Sequence, residues 1–569
     1  MRKIMLIKYI FFIFILFIWF GLFSVGFSSY QGSKLLFCFF SFSFLILLIT
    51  GFYKNKSYSF MFLTLFLWLG FWLKLVVHLA LEYPYVESTG AFDGSIDAWD
   101  KVLLVATVAS IGLLIGRFLY VNITKGRLNY SCERLVYPVW YPMFRRKIWA
   151  VLLFSIVIVA LINAFFGIQQ IGLASRTIFP WPLNAIIAWL VSIGGAMGVV
   201  TLLWWDVSLK KSPWGGMFII LMEAFLSTTS LLSRGVFLFH SIPQLLALYK
   251  NKSITFERRY KPRVLIFLCF YLFLFILSIS SVTTLRALYY PDVNGVGFTT
   301  KIQQKLTRLE VLEGGVKHAE MLIQQGEKQE GHLRELIKER DQIEIDLSSK
   351  RARYNDNSMP NKEMFPFGGA GEIKIRTNST SGPGLRVENE NDLYDEWIYQ
   401  IKIGAFEQVM ALGVDRWVGL EGLMAVVAYP DKNSKLIIDA LKEKREIGKV
   451  TQYQTISKSI YQWTDSEVWQ FASLPGAVAF LYFSGSLLVV ILGMTTFTFL
   501  ILSVEDLVFI ITGNPLLCSL LGMVIANFVA QFGITPRQDI PYFLMISIAV
   551  IAIWLVQNRK VKSFKSERL

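Results

Sequence analysis

The sequence predicts an all-α integral membrane protein with about twelve transmembrane helices and a large, mostly helical external loop containing a helical hairpin. Three observations carry this. Of the 569 residues, 54% are Ala, Val, Ile, Leu, Met, Phe, Trp, Tyr or Cys, and only 17% are charged, against about 25% in ordinary soluble domains. Apolar runs long enough to cross the hydrocarbon core of a bilayer recur along the chain. The basic excess sits in the short loops between those runs, as it does in cytoplasmic loops of membrane proteins. A disordered chain, a coiled-coil rod and a typical soluble enzyme are excluded.

The formal net charge is +15. From Thr283 to Ser473 there are 25 Lys+Arg against 28 Asp+Glu, so the rest of the chain holds 31 against 13. Short basic loops of this kind match anionic lipid headgroups, which makes the lipid bilayer the expected partner. Nucleic acid would need a basic, aromatic-bearing patch on a soluble domain, and none is present. The cysteines (Cys38, Cys132, Cys269 and Cys518) form no Cys-x-x-Cys, so neither a disulfide framework nor a zinc knuckle is expected. The apolar stretch after Met1-Arg2-Lys3 has no small-residue cleavage site and reads as a retained first span.

The expected spans, in order, are 7–27, 35–53, 58–81, 102–120, 148–166, 185–205, 217–232, 236–249, 264–282, 474–500, 516–534 and 542–556. They divide the chain into an N-terminal bundle over 1–282, an external region over 283–473 and a C-terminal bundle over 474–569. An even number of spans puts both termini on one side, and the basic tail puts that side in the cytoplasm. The loop 82–100, with Glu82, Glu87, Asp93, Asp97 and Asp100 and no base, then lies outside. A single helix over 217–249 would run about 49 Å at 1.5 Å per residue, too long for one crossing. A hairpin with Ser233-Arg234-Gly235 at its outer tip resolves this.

Within the external region, 301–353 reads as helix, divided near Gly326 and Gly331 into a hairpin. Residues 354–394 are rich in Asn, Ser, Gly and Pro and read as a flexible loop. Residues 395–473 return to helix-compatible sequence.

Ionisable groups inside spans are costly and therefore candidates for function. Lys74, His78 and Glu82 are four apart and share a helix face; a buried ion pair with a snorkelling Lys is the equal alternative. Glu223, Ser227, Ser230 and Arg234 would form a polar stripe ending in Arg, suited to an anionic headgroup because guanidinium binds phosphate oxygens in pairs and keeps its charge. Arg176, Arg286 and Arg416 are further outer-facing arginines. Gly413 to Gly422 sets Asp415, Arg416 and Glu421 among glycines and Trp417. A carboxylate, an Arg and an aromatic suit a sugar, and a carboxylate can act as general base; a helix-opening turn with a structural Asp415–Arg416 pair is equally compatible. Glu87 and Asp93 are rival bases, or a solvated rim. No Walker A loop, dinucleotide fingerprint, His-Glu-x-x-His or Gly-x-Ser-x-Gly is present, and the four histidines are well separated. No cofactor and no metal site are expected. The 301–353 hairpin reads as an interaction or spacer element.

The chain resembles bacterial oligosaccharide repeat-unit polymerases, the O-antigen and exopolysaccharide polymerase group. The likeness lies in the span count, the large external loop before the last spans, and three stretches: Ser233-Arg234-Gly235, Arg416-Trp417-Val418-Gly419, and Leu474-Pro475-Gly476 leading into Ala479 to Ser486. They cover well under a tenth of the chain, and the 301–353 hairpin departs from the group's usual loop. The resemblance implies a GT-C-type glycosyltransferase of the bacterial inner membrane. Such an enzyme moves a glycan from undecaprenyl diphosphate onto a sugar hydroxyl of a second lipid-linked repeat. It would place Arg234, Arg286 and Arg416 on diphosphate or glycan, Glu421 or Asp415 as base, and Lys74 and His78 on the cavity floor, with a chain-length regulator as a partner for the hairpin. An O-antigen ligase would share the fold and leaving group. A lipid-linked-sugar transporter or flippase would predict symmetric halves, which the lopsided external region opposes. A non-catalytic scaffold is the remaining reading.

Overall fold

The computed structural model describes residues 2–53, 55–81, 85, 87–124, 137–251, 261–289, 316, 320, 323, 330–352, 374–375, 411–444, 450–459, 473–533 and 536–558. The helices begin with α1 (Arg2–Ser29), α2 (Lys34–Phe52), α3 (Tyr58–Leu67) and α4 (Lys74–Leu81), the last two joined by a π turn at Trp68–Leu73. There follow α5 (Ile96–Thr124), α6 (Tyr141–Phe166), then α7 (Leu183–Trp189) and α8 (Gly195–Ser208) joined by a second π turn at Leu190–Gly194. Next come α9 (Trp214–Ser230), α10 (Arg234–Lys250), α11 (Lys261–Tyr289) and α12 (Glu330–Ala352). Before the last apolar helices come α13 (Leu420–Ala428), α14 (Ser434–Lys442) and α15 (Gln452–Ile456). The last helices are α16 (Gly476–Tyr482), α17 (Leu487–Thr512), α18 (Pro515–Ala530) and α19 (Ile540–Asn558).

Local chemistry sets many of the ends. Ser33 and Ser57 accept from the Leu36 and Phe60 amides and cap α2 and α3, and Asn514 accepts from Leu516 and Leu517 at the start of α18. Such side-chain acceptors satisfy amides that a helix start leaves without a partner. Gly167 and Gly513, both left-handed, terminate α6 and α17, a conformation glycine adopts without a Cβ clash.

Among the described residues, eight helices or helix pairs are long and apolar enough to cross a membrane: α2, α3–α4, α5, α6, α7–α8, α11, α17 and α19. The protein is a multi-pass, all-helical membrane protein. The expected count of twelve exceeds this. α9 and α10 are 17 residues each and α18 is 16 residues, short of a full crossing. The expected span 474–500 is corrected: the chain breaks at Phe483–Ser486, where Gly485 has φ +72°, and the long helix starts only at Leu487. The hairpin over 217–249 is present, with its turn at Leu231–Ser233. Within 283–473, α12 covers the second half of the expected 301–353 hairpin. Its first half lies outside the described residues except for isolated positions. So does the loop 354–394, except for Lys374–Ile375, which pairs antiparallel with Thr177–Ile178.

Burial separates centre from perimeter. The span window of α3–α4 is 78% buried, whereas those of α6 and α19 are 17% and 11% buried, so the latter present large apolar faces that only lipid can cover. One continuous core joins both ends of the chain. α17 lies along α5 at Gly112 and Gly116, where a Cβ would stand 2.7 Å from the Ile491 oxygen and 2.5 Å from the Thr495 oxygen. Small residues of this kind let helix backbones meet in a membrane. Thr495 donates to the Gly112 carbonyl at 3.0 Å. α18 approaches α3 in the same manner at Gly522, beside the Ser59 amide.

Candidate functional site

The π turn at Trp68–Leu73 brings Gly70 to the surface of the central span. A Cβ there would lie 2.2 Å from the Val418 carbonyl oxygen, and one on Gly419 (φ +158°) would lie 3.0 Å from the Gly70 oxygen. Two glycines thus let the 413–422 segment rest backbone to backbone on α3–α4. Trp417 stacks on Phe66 at 5.3 Å and donates to the Gly413 carbonyl at 2.7 Å. Gly422, in α13, meets the Pro475 carbonyl, where a Cβ would be 2.2 Å away.

This docking buries four ionisable side chains together. Lys74 donates to both Glu421 carboxylate oxygens, at 2.7 and 2.8 Å, and to the Asp415 carbonyl at 3.0 Å. His78, one turn on, has Nε2 2.7 Å from Asp415 Oδ1. Exposures are 1% for Lys74, 5% for His78, 7% for Asp415 and 3% for Glu421. Tyr85 stacks on the His78 ring at 4.0 Å. The i, i+4 spacing of Lys74 and His78 therefore presents a lysine and an imidazole to two acidic side chains some 340 residues away in the chain. Glu82, the third expected member of that face, lies outside the described residues.

At the half-buried rim, Ser473 donates to Glu87 at 2.8 Å and its hydroxyl lies 2.7 Å from that of Ser459. Burial raises the Glu87 carboxyl above the usual carboxylate value, Ser473 opposes this, and the Glu421 charge raises it further. Tyr453 is raised well above its ordinary value, first by burial and then by Glu87 and Glu421. Asp93 is an exposed loop carboxylate bonded to the Ser95 amide, the solvated form of its two readings.

Asp415 and Arg416 point apart, so the expected Asp415–Arg416 pair does not form. Arg416 turns to the opposite side and reaches the first turn of α10: its Nη2 stands 3.1 Å from where a Cβ on Gly235 would be. Arg234 opens that helix and donates to Thr283 at 3.0 Å. Desolvation and then the neighbouring Arg234 charge lower the Arg416 pKa from its ordinary value. Among the described residues neither arginine has a carboxylate within ion-pairing distance. Arg286 sits behind them, donating to the Leu232 and Ile171 carbonyls at 2.9 and 3.1 Å and closing the α9–α10 turn. Arg176 donates to the Ala164 carbonyl at the end of α6 at 2.7 Å and stacks over Tyr289 at 3.9 Å. The structure thus brings Arg234, Arg286 and Arg416 around one turn, with Arg286 and Arg176 engaged by backbone carbonyls.

The expected stripe Glu223–Ser227–Ser230–Arg234 is corrected, because α9 ends at Ser230 and Arg234 begins α10. Glu223 instead lies beside His240 at 3.1 Å, accepts from Ser227 at 2.9 Å, and His240 Nε2 reaches the Ser192 carbonyl in the second π turn at 3.0 Å. Sequence reasoning missed this pair. The signal was available: the two residues are equidistant from the hairpin turn. A second missed carboxylate is Asp206, held by Arg145 at 2.6 Å through two nitrogens and by Tyr141 and Trp149.

Among the described residues no group of three or more His, Cys, Asp or Glu side chains is placed to hold a metal ion. Chemically, the site offers a cationic pair able to take an anion and, on the other side of the same loop, carboxylates in a buried network. Comparison with protein-family models, with curated proteins and with solved structures gives no match.

Proposed function

We propose that the protein is a membrane glycosyltransferase that polymerises undecaprenyl-diphosphate-linked oligosaccharide repeats into a surface polysaccharide. The observation that carries this reading is the juxtaposition of Arg234 and Arg416, two guanidinium groups from distant parts of the chain with no carboxylate in ion-pairing distance among the described residues. Like charges repel, so such a pair is stable chiefly as the receptor of an anion, and two forks match a diphosphate. In the transfer, an acceptor hydroxyl attacks the anomeric carbon of the donor. The bond to the diphosphate oxygen breaks with its electron pair, and the hydroxyl proton passes to a carboxylate. Arg234 and Arg416 stabilise the charge that grows on the leaving diphosphate, and Arg286 fixes the turn that carries Arg234. Asp415 and Glu421 remain candidates for the base. Glu87 joins them, because a raised carboxyl near a half-buried rim is closer to the proton affinity a base needs near neutral pH. An O-antigen ligase-type transferase uses the same leaving group and is the second reading.

The test is gel analysis of lipid-linked and surface glycan from cells carrying Arg234→Ala or Arg416→Ala. For a polymerase, either change reduces surface glycan to a single repeat. Long polymer retained on the lipid carrier assigns the ligase reading. Unaltered glycan length in both variants removes the glycan-joining function altogether.

A further inference from the structure

We propose that the groove between α6, α8 and α19, at the basic end of the bundle, binds one anionic glycerophospholipid, with an acyl chain in the groove and the phosphate at Lys147. This does not rest on the glycosyltransferase reading.

The groove has a volume of about 660 Å³, within the range of roughly 300–1,000 Å³ typical of ligand sites. Its walls are apolar, with Val151 and Leu152 from α6, Leu202 from α8, and Ile553 and Val556 from α19. From Lys147 the lining runs on to Ser155 along α6, about 12 Å at 1.5 Å per residue, which takes the part of an acyl chain nearest the headgroup. α19 stands at the perimeter, with only 11% of its span window buried, so nothing in the described chain fills the seam.

Two features select an anionic headgroup. Lys147 lines the groove and is exposed, as are Arg146 next to it and Lys210 and Lys211 just past α8. The carboxylate in this neighbourhood, Asp206, is taken by Arg145, Tyr141 and Trp149, so the local excess is cationic. Basic pockets between membrane helices are the expected receptors of anionic headgroups.

The test uses the full chain, delipidated in detergent and then mixed with equal dioleoyl phosphatidylglycerol and dioleoyl phosphatidylcholine, with retained lipid read by native mass spectrometry. Wild type retains one phosphatidylglycerol in preference to phosphatidylcholine. Lys147→Gln lowers phosphatidylglycerol retention about fivefold and leaves phosphatidylcholine unchanged. Val151→Trp, which fills the groove, removes the retained lipid, whereas Ile266→Trp on the exposed face of α11 does not. Equal retention of the two lipids by wild type overturns the proposal. So does a phosphatidylglycerol preference that survives in Lys147→Gln. Should Val151→Trp not yield folded protein, the Lys147→Gln comparison decides alone, since that exposed side chain is outside the core.

Discussion

Replacing Lys74 with Met removes the cation that two carboxylate oxygens and one carbonyl share in the middle of the bundle. Three hydrogen bonds of 2.7 to 3.0 Å are lost, and Glu421 is left 3% exposed with no cation against it. Stranding one member of a buried pair costs about 3–5 kcal/mol, mostly through the desolvated charge that remains. Glu421→Gln alone strands Lys74 and carries a comparable cost. The double change Lys74→Met/Glu421→Gln removes both charges and should cost at least about 2 kcal/mol less than the two single costs together. Equilibrium unfolding by sodium dodecyl sulfate in mixed micelles measures all three. If Lys74→Met lies within about 1 kcal/mol of wild type, or if the single costs simply add, the buried pair does not hold the 413–422 segment on the central span.

Gly70→Ala pushes a methyl group against the Val418 carbonyl and should cost about 1–3 kcal/mol with loss of long glycan, while Gly21→Ala, which meets nothing within 4 Å, leaves both unchanged. Gly116→Val forces α5 away from the Thr495 backbone and should destabilise the protein in the same detergent titration by a similar amount, about 1–3 kcal/mol. Burial raises the Asp539 carboxyl from 3.8 to about 6, so its neutral form favours folding at low pH and that contribution is lost as pH rises through about 6. Asp539→Asn should therefore gain stability over wild type at pH 7.5 relative to pH 4, by up to about 3 kcal/mol; a gain that does not change with pH refutes the assignment.

Much of the architecture was readable from spacing and length. The hairpin over 217–249 followed from the excess length of one helix and the basic character of the next loop, and its turn lies at Leu231–Ser233. The shared face of Lys74 and His78 was readable because helical periodicity is local. Their partners were not, because no local rule connects α4 to Asp415 and Glu421 across some 340 residues. The direction of Arg416 was equally hidden: adjacent residues on an irregular segment face opposite sides, and only the docking on Gly70 decides which. The break inside 474–500 had a cue in Ser484-Gly485-Ser486, but hydropathy averages over three such residues and reads the apolar flanks as one span. The π turns, at Trp68–Leu73, Leu190–Gly194 and Ala411–Asp415, leave no mark in composition.

The seam between α5 and α17 has a consequence for biogenesis. A ribosome delivers α5 to the bilayer nearly 400 residues before it delivers the strip that covers Gly112 and Gly116. Until then, a notch of bare backbone faces lipid tails, and α3 waits likewise for Gly522. Nascent chains halted ahead of Leu487 should be recognised as unfinished by membrane proteases, however many of their helices have already inserted.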